Sequence, residues 1–267
     1  KCFGSSDGFG IAAAFGGTPN YSYLWSDGGT SATSNPLTAN NYGLSVTDGN
    51  GCVVTSSMAL VNPPAMAASI TSTNVSCFGA CNGIATATST NGIGAVSYAW
   101  VGGSNPINSQ TAMNLCAATY TMTSTDQNGC IAVAQVVITE PTVLTASISS
   151  TGSVTCNGGT DGFAVVNAGG GTTPYSYSWS GAASANGNSS NANNLPAGIF
   201  TVTVTDGQGC TTTANATIIQ PAPFTATLTT TDPLCFNVQN GTGNLVTIGG
   251  AGPTSFLWLP GLQSGNF

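Results

Sequence analysis

The chain has 267 residues but few charges: one Lys or Arg, eight Asp or Glu and no His, for a net charge of −7. A single basic residue provides no cluster of cations for phosphates, so nucleic acids and anionic membranes are poor partners. Without His, the chain has no Ser-His or Cys-His nucleophile pair and no Cys/His zinc site. We therefore predict that the protein is not an enzyme and binds no cofactor.

Small and polar residues divide the apolar stretches along the whole chain. Because every apolar run ends well before 18 residues, we expect no transmembrane helix and no direct insertion into a membrane. The chain begins with Lys1 and no signal-peptide pattern follows, so we expect a mature or internal piece of a longer product. Nine cysteines in a chain rich in Thr, Ser, Asn and Gly predict an oxidising, extracellular location.

Two blocks of sequence recur along the chain. A first-block cysteine precedes a tryptophan at a constant distance in four copies: Cys2 and Trp25, Cys77 and Trp100, Cys156 and Trp179, Cys235 and Trp258. Asp-x-x-Gly-Cys ends with a second-block cysteine in three copies: Asp48–Cys52, Asp126–Cys130, Asp206–Cys210. With prolines at the boundaries, we predict repeat 1 (1–64, first strand missing), repeat 2 (65–141), repeat 3 (142–221) and partial repeat 4 (222–267).

Repeat 3 illustrates the predicted elements in chain order. Residues 145–148 alternate, 163–167 are β-branched and apolar, 175–179 alternate, and 200–206 place Phe200, Val202 and Val204 on one face. Clusters of Gly, Asn and Ser separate these segments, and no helical period appears. The pattern predicts an all-β chain of tandem immunoglobulin/PKD-like Greek-key β-sandwiches. Short proline junctions favour an elongated, semi-rigid rod.

The third of these segments carries the aromatic residues of each repeat. Tyr21, Tyr23 and Trp25 share one face of the strand, and Ser22 lies on the other. We predict that the four tryptophans are core residues, because burying Ser and exposing Trp is unfavourable. The alternative is an exposed aromatic platform for sugar rings.

The aspartates allow a structural and a metal-binding interpretation. The aspartate of the second block favours an Asx-turn that satisfies turn amides, so we predict no metal site. Calcium is the alternative, because Asp7 and Asp161 could add carboxylates to Asp48 and Asp206. Asn82 and Asn240 replace the first of these carboxylates in the other copies, so such a site would vary between repeats. No carboxylate pair faces a common cleft in the predicted order, as a glycosidase would require.

The cysteines predict disulfides but leave their register open. We prefer pairing within repeats: Cys2–Cys52, Cys77–Cys130 and Cys156–Cys210, with Cys235 unpaired. Pairing across junctions is the alternative: Cys52–Cys77, Cys130–Cys156 and Cys210–Cys235. In a standard immunoglobulin domain both cysteines of a repeat would lie at opposite ends, too far apart for a bond, so pairing within repeats requires a departure from that topology. Cys81 and Cys116 occur only in repeat 2 and predict an additional bond inside it, or else a bridge to another chain.

The combined blocks resemble a known family. Cys-Phe-Gly-x-x-Asp-Gly, Gly-Gly-Thr-Pro-x-Tyr-x-Tyr-x-Trp-Ser and Thr-Val-Thr-Val-Thr-Asp-x-x-Gly-Cys are similar to the SprB repeat of very large cell-surface adhesins in Bacteroidota, most clearly at residues 4–8, 16–26, 171–180 and 198–210. PKD-type domains share the Tyr-x-Tyr-x-Trp strand. The resemblance implies export by the type IX secretion system, display on the cell surface as threads or filaments, and a role in attachment, gliding motility or capture of other cells.

Three features depart from that family: the near-absence of Lys and Arg, the additional Cys81 and Cys116, and the replacements Asn82 and Asn240. Low charge permits chains to pack closely without desolvating unpaired ions. We therefore expect a homo-oligomer, a multi-chain filament on the cell surface whose receptor the sequence does not indicate. The alternative function is a tandem carbohydrate-binding module of a secreted enzyme.

Overall fold

A computed structural model describes residues 1–102, 107–232, 234–235, 240–258 and 263–266, the last range and Trp258 as backbone only. Almost all regular structure is β-strand. Within the described part of the chain, no helix is long and apolar enough to cross a membrane. The chain forms two compact units, Lys1–Val75 with Gly79–Glu140, and Ser76–Phe78 with Pro141–Phe267.

Repeat 1 lies in the first unit and has five strands. They are β1 (Gly8–Ile11), β2 (Ser22–Trp25), β3 (Thr33–Leu37), β4 (Asn41–Thr47) and β5 (Val53–Ala59). β1 pairs with β3, and the second sheet has the order β2-β4-β5. Four residues form its buried core: Trp25, Leu37, Tyr42 and Leu44.

Repeat 2 forms a fuller sandwich of six strands. They are β6 (Ala67–Thr73), β7 (Gly83–Thr90), β8 (Ser97–Val101), β9 (Thr111–Leu115), β10 (Ala118–Thr125) and β11 (Ile131–Ile138). The sheets have the orders β6-β7-β9 and β11-β10-β8, so the connections β7 to β8, β8 to β9 and β9 to β10 pass between the two layers. All pairings are antiparallel.

Repeat 3 has the same arrangement within the second unit. Its strands are β12 (Thr145–Gly152), β13 (Gly162–Gly169), β14 (Ser176–Trp179), β15 (Asn191–Leu195), β16 (Gly198–Thr205) and β17 (Thr211–Ile218), with a 3-10 helix at Gly181–Asn186. The sheets have the orders β12-β13-β15 and β14-β16-β17. The first strand packs against the last strand of the opposite layer, as β12 does against β17.

Repeat 4 contributes two antiparallel pairs to the second unit. β18 (Thr225–Thr231) pairs with β19 (Thr242–Ile248), and β20 (Ser255–Trp258) pairs with β21 (Gln263–Asn266). The first pair corresponds to β6-β7 and β12-β13 of the preceding repeats.

Alternation of side chains determines which face of each strand is buried. In β16, Phe200, Val202 and Val204 are buried, whereas the intervening threonines are partly exposed. Threonine suits the outer face because its β-branched side chain favours strands and its hydroxyl hydrates without charge. The predicted fold is confirmed: the chain is all-β and consists of tandem immunoglobulin-like β-sandwiches.

Close packing requires the glycine that follows Asn82 in repeat 2 and Asp161 in repeat 3. A Cβ on Gly83 would lie 2.9 Å from the carbonyl oxygen of Leu115 and 2.9 Å from a methyl carbon of Ile138. Gly162 has the equivalent neighbours, Leu195 and Ile218, at 2.8 and 2.6 Å. No side chain fits at this position, where β7 or β13 approaches the last strand of its sandwich, β11 or β17.

Candidate functional site

The tryptophan of each of the first three repeats lies in the core. Trp25, Trp100 and Trp179 are 4%, 1% and 3% exposed. Each indole Nε1 donates a hydrogen bond to a backbone carbonyl, at 2.9, 2.8 and 2.8 Å. The side chain of Trp258 lies outside the described residues. In repeats 1 to 3, the aromatic strand therefore offers no indole face to a sugar ring.

The aspartate of the second block binds backbone amides in the same way in all three repeats. In repeat 2, Oδ1 of Asp126 accepts hydrogen bonds from the N–H groups of Asn128 and Cys130, both at 2.9 Å. Oδ2 accepts the N–H of Ile93 at 2.8 Å, in the loop between the second and third strands of repeat 2. The carboxylate thus fixes the second-block cysteine and ties its turn to a neighbouring loop.

The matching bonds recur at the other two aspartates. Asp48 accepts the N–H groups of Thr18 and Cys52 at 3.0 and 2.8 Å, and Asp206 accepts those of Thr172 and Cys210 at 2.9 and 2.9 Å. For Asp48, the amide bonds from Thr18 and then Cys52 lower the pKa. Burial raises the pKa of Asp206, but its amide bonds outweigh that effect and the pKa is lowered overall. These carboxylates stabilise turns.

The calcium candidate Asp161 and the asparagine that replaces it in repeat 4, Asn240, both hold the segment around the first-block cysteine. Asp161 accepts the N–H of Thr155, the residue before Cys156, at 3.0 Å. Asn240 accepts the N–H of Leu234, the residue before Cys235, at 3.1 Å. An amide oxygen serves this purpose as well as a carboxylate, which accounts for Asp and Asn at the same position.

Asp7, the last of the calcium candidates, is also bound to protein groups. Asp7 pairs with the terminal amine of Lys1 at 2.6 Å, and the bond from that amine, followed by one from Ser5, lowers its pKa. Among the described residues, no three His, Cys, Asp or Glu side chains are grouped in a way that could hold a metal ion.

The disulfides follow a register that differs from both sequence-based alternatives. Cys2 is bonded to Cys130, and Cys77 is bonded to Cys210. The first-block cysteine of one repeat is therefore joined to the second-block cysteine of the next repeat. The prediction of pairing within repeats (Cys2–Cys52, Cys77–Cys130, Cys156–Cys210) is wrong, and so is the alternative across junctions.

The two cysteines of one repeat lie at opposite ends of its sandwich. The loop that carries the first-block cysteine is held against the last residues of its repeat, because Gly4 N–H donates to Oδ1 of Asn62 at 3.1 Å. The second-block turn is fastened to the loop between the second and third strands. Strands of seven or eight residues at about 3.3 Å each separate these ends by about 25 Å, whereas disulfide Cα atoms lie within about 7 Å.

The residues that fasten the first-block loop were missed by the sequence analysis. Asn62, Glu140 and Gln220 each precede a boundary proline, and their side-chain oxygens accept the N–H groups of Gly4, Gly79 and Gly158 at 3.1, 2.7 and 3.0 Å. These glycines have φ values from 71° to 77°, a conformation that favours glycine. A polar residue before each boundary proline, paired with Cys-x-Gly, was the available signal.

Repeat 2 contains a further bond, and three thiols stay free. Cys81 is bonded to Cys116, whose Cα lies 3.9 Å away. Tyr120 Oη donates to the carbonyl oxygen of Cys116 at 3.1 Å. Cys52, Cys156 and Cys235 are free and exposed.

Repeat 1 contains an open groove where the other repeats have their first strand. Its cavity of about 560 Å³ is lined by Ile11, Tyr42, Leu44 and Val54, and extends to Cys52. In repeats 2 and 3, β6 and β12 occupy the corresponding position beside β7 and β13.

Comparison with known proteins identifies the repeat. The model of the SprB repeat matches residues 1–30, 69–105 and 148–184, each of which contains a first-block cysteine and the tryptophan strand that follows it. The chain carries three SprB repeats. This motif of surface adhesins, joined here by disulfides across repeats, indicates an extracellular surface protein. The family match indicates structural repeats and points to no catalytic family.

Solved structures with several domains show distant likenesses to the SprB array. The three N-terminal domains of the Hoc capsid protein of bacteriophage RB49 are 16% identical, with 82% of this chain and 96% of that chain covered and a TM-score of 0.39. The N-terminal eight Ig domains of Down syndrome cell adhesion molecule are 14% identical, with 82% of this chain and 34% of that chain covered and a TM-score of 0.28. No curated protein sequence matches the chain.

Proposed function

We propose that the chain is a structural segment of an extracellular, cell-surface adhesin or filament used for attachment, gliding motility or capture of other cells. The three SprB repeats within tandem sandwiches carry this proposal. The resemblance to the SprB repeat also supports the proposal of a Bacteroidota host that exports the protein through the type IX secretion system.

Two further properties support a structural role for this segment. The second-block carboxylates are engaged with backbone amides, and the indoles of Trp25, Trp100 and Trp179 lie in the core, so neither set is presented to a substrate. Disulfides join successive repeats in addition to the peptide backbone. These properties favour a load-bearing or spacing segment over the carbohydrate-binding module.

We also propose that several copies associate laterally into a filament. Nine charged side chains in 267 residues leave little repulsion between like chains. Polar, uncharged faces of threonine and serine can then be buried with hydrogen bonds and without desolvating ions.

The function is tested on cells that produce the protein. Antibodies against residues 142–221 are expected to label intact, unpermeabilised cells, and deletion of the gene is expected to reduce attachment to surfaces. Labelling only after permeabilisation would contradict the surface location. Normal attachment and movement of the deletion strain would contradict the adhesive function.

Electron microscopy of the unreduced native particle tests the assembly. Lateral association predicts tubes or bundles whose width exceeds that of one sandwich and whose cross-section contains several chains. Isolated threads one domain wide would overturn lateral association while leaving the surface location standing.

A further inference from the structure

Repeat 2 exposes a row of aliphatic side chains on its last strand. Ile131, Val133 and Val137 of β11 are 64%, 60% and 59% exposed. Side chains two residues apart lie on the same face of a strand, so these three share one side of the sheet with Gln135. Single apolar residues are common on protein surfaces, whereas contiguous apolar patches mark interaction sites. We call the outer side of the sheet β11-β10-β8, which carries this row, the apolar face.

Strand pairing places a row of threonines beside the aliphatic row. Each of the three aliphatic residues has a threonine of β10 directly opposite: Thr125 at Ile131, Thr123 at Val133 and Thr119 at Val137. On the other side of β10, Ala99 and Val101 of β8 are exposed as well. β10 and β11 pair over eight residues without a bulge. The apolar face is therefore a continuous surface of methyl groups and hydroxyls.

The corresponding surfaces of repeats 1 and 3 lack this row. In β17 of repeat 3 the three aligned positions are all threonine: Thr211, Thr213 and Thr217. In β5 of repeat 1 one of the three is a large aliphatic residue: Val53, with Thr55 and Ala59 at the other two. β17 pairs with β16 in the same continuous register as β11 with β10, so the sandwich does not need aliphatic residues here. Their presence in repeat 2 points to a contact that the fold alone does not require.

The chemistry of the apolar face restricts what can cover it. Repeat 2 contains two acids and no Lys or Arg. Both acids lie just beyond the ends of β10 and β11 and accept backbone N–H groups: Asp126 from Ile93, and Glu140 from Gly79. Phosphates and anionic headgroups would find no cation on this face, and a sugar would find no aromatic ring. The matching partner is another uncharged surface rich in methyl groups.

A second copy of this chain necessarily carries such a surface. A two-fold axis parallel to the sheet brings two apolar faces together as one isologous interface, and packed sheets lie about 10 Å apart with their side chains interdigitated. Three strands of eight residues or fewer cover about 25 by 14 Å, so the pair would bury about 700 Å². Stable complexes bury about 1,200–2,000 Å². This contact is therefore weak between two free molecules and effective where many copies lie side by side.

We propose that two copies of this chain associate through the apolar face of repeat 2, sheet against sheet. Burial of Ile131, Val133 and Val137 drives the association, and the threonine hydroxyls that leave water bond to those of the partner. No charged group has to be desolvated. The inference rests on the lateral association proposed above and names the surface that carries it.

The face is tested by giving repeat 2 the residues of repeat 3, as Ile131→Thr, Val133→Thr and Val137→Thr in one variant. Sedimentation equilibrium follows association of the whole chain up to about 1 mM, with its free thiols alkylated so that disulfide exchange does not contribute. We expect the wild type to dimerise reversibly and the variant to do so at least about tenfold more weakly. The Tm of the variant is expected to stay close to that of the wild type, because repeat 3 folds with threonine at these positions.

The matched control removes three exposed aliphatic side chains outside repeat 2, as Ile199→Thr, Val246→Thr and Ile248→Thr, and is expected to dimerise like the wild type. Equal weakening in both variants, or in neither, would overturn the apolar face as the contact. A wild type that stays monomeric over the whole concentration range would overturn it as well.

Isotope-filtered NOE spectra of a mixture of labelled and unlabelled chains locate the contact directly. We expect intermolecular NOEs from the methyl groups of Ile131, Val133 and Val137. Intermolecular NOEs confined to other residues would overturn this face. A multi-chain particle that the threonine variant still forms in the electron microscope would do the same, while leaving lateral association through another surface standing.

Discussion

The second-block aspartate is charged, yet it is bound almost entirely to backbone amides. In Asp206, one oxygen accepts the N–H groups of Gln208 and Cys210, and the other accepts that of Thr172. A carboxylate can accept at both oxygens, whereas an asparagine offers one acceptor and one donor. Replacement by asparagine at this position would therefore turn an N–H donor of the side chain toward another donor.

Asp206→Asn is expected to lower the Tm of repeat 3 at neutral pH and to flatten its dependence on pH. The pKa of Asp206 is lowered in the folded protein, so the unfolded chain binds more protons in acid. Its stabilising contribution is present above about pH 4 and is lost as the pH falls below the ordinary pKa of aspartate toward the folded value. Calorimetric scans from pH 7 to pH 2 measure this.

Asp232→Asn is the matched control for that experiment, because Asp232 is an exposed aspartate of the same unit. Its Tm profile is expected to follow that of the wild type. Parallel profiles for Asp206→Asn and the wild type across the acid range would show that the amide bonds do not depend on the carboxylate charge.

At the residue scale, the sequence predicted burial better than it predicted partners. The alternation around Trp100 indicated a buried face, because strand geometry alone decides which side chains share a face. It could not indicate that Asn62 or Gln220 would accept the amide of a distant glycine, because that contact depends on how the loops at one end of the sandwich meet.

At the scale of elements, repeat 1 has an open groove at the position that the first strand, β6 or β12, occupies in repeats 2 and 3. In repeat 3, Leu144, Ala146 and Ile148 pack against the buried cluster from β12 and the residues before it. In repeat 1 the groove stays open, and Val53 and Val54 of β5 are 61% and 65% exposed. Supplying that strand should complete the smaller core.

Fusion of residues 142–154 directly before Lys1 is expected to fill the groove and raise the Tm of repeat 1. In the aligned repeats, this segment carries the first strand and ends immediately before the residue equivalent to Lys1. Val154 at its end is buried in repeat 3, so three aliphatic side chains would enter the core with it. Hydrogen exchange at the amides of β1 measures the gain in protection, since β1 would pair with the added strand as well as with β3.

The matched control is the same fusion with both Leu144→Asp and Ile148→Asp in the added segment. A fully buried aliphatic side chain contributes about 1.5–3 kcal/mol and Leu144 and Ile148 are partly buried, so the two fusions should differ by about 2 kcal/mol or more in the stability of repeat 1. Equal protection of β1 in both fusions would mean that the added strand does not lie in the groove.

The strands themselves were predictable, whereas the bonds between repeats were not. Periodicity reports local geometry, so the strand through Val202 and Val204 could be recognised without knowing its neighbours. The partner of Cys2 lies 128 residues away and belongs to another sandwich. Only the placement of both loops at facing ends determines that register, and alternation contains no information about it.

At the scale of the whole molecule, the disulfide register means that a cysteine in one repeat protects a cysteine in another repeat from alkylation. Cys130→Ser is expected to release Cys2, so that alkylation without reduction modifies one thiol more than in the wild type. Loss of the Cys2–Cys130 disulfide should destabilise the first unit by about 2–4 kcal/mol, the usual contribution of a native disulfide. Peptic mapping identifies the newly modified cysteine.

Cys116→Ser provides the comparison and is expected to release Cys81 alone, because that bond lies within repeat 2. If Cys130→Ser released Cys77 and left Cys2 protected, the register across repeats would be refuted in favour of pairing within repeats.

The interlocked register also limits how far the chain can be stretched. The loops closed by Cys2–Cys130 and Cys77–Cys210 overlap, because Cys77 precedes Cys130. The shortest covalent route from Cys2 to Cys210 passes through one disulfide, runs backward from Cys130 to Cys77 and crosses the other, about a quarter of the backbone contour at the usual span per residue. Under tension, therefore, even complete unfolding of these sandwiches would separate Cys2 from Cys210 by no more than about a quarter of the contour length of the backbone between them until a disulfide was reduced.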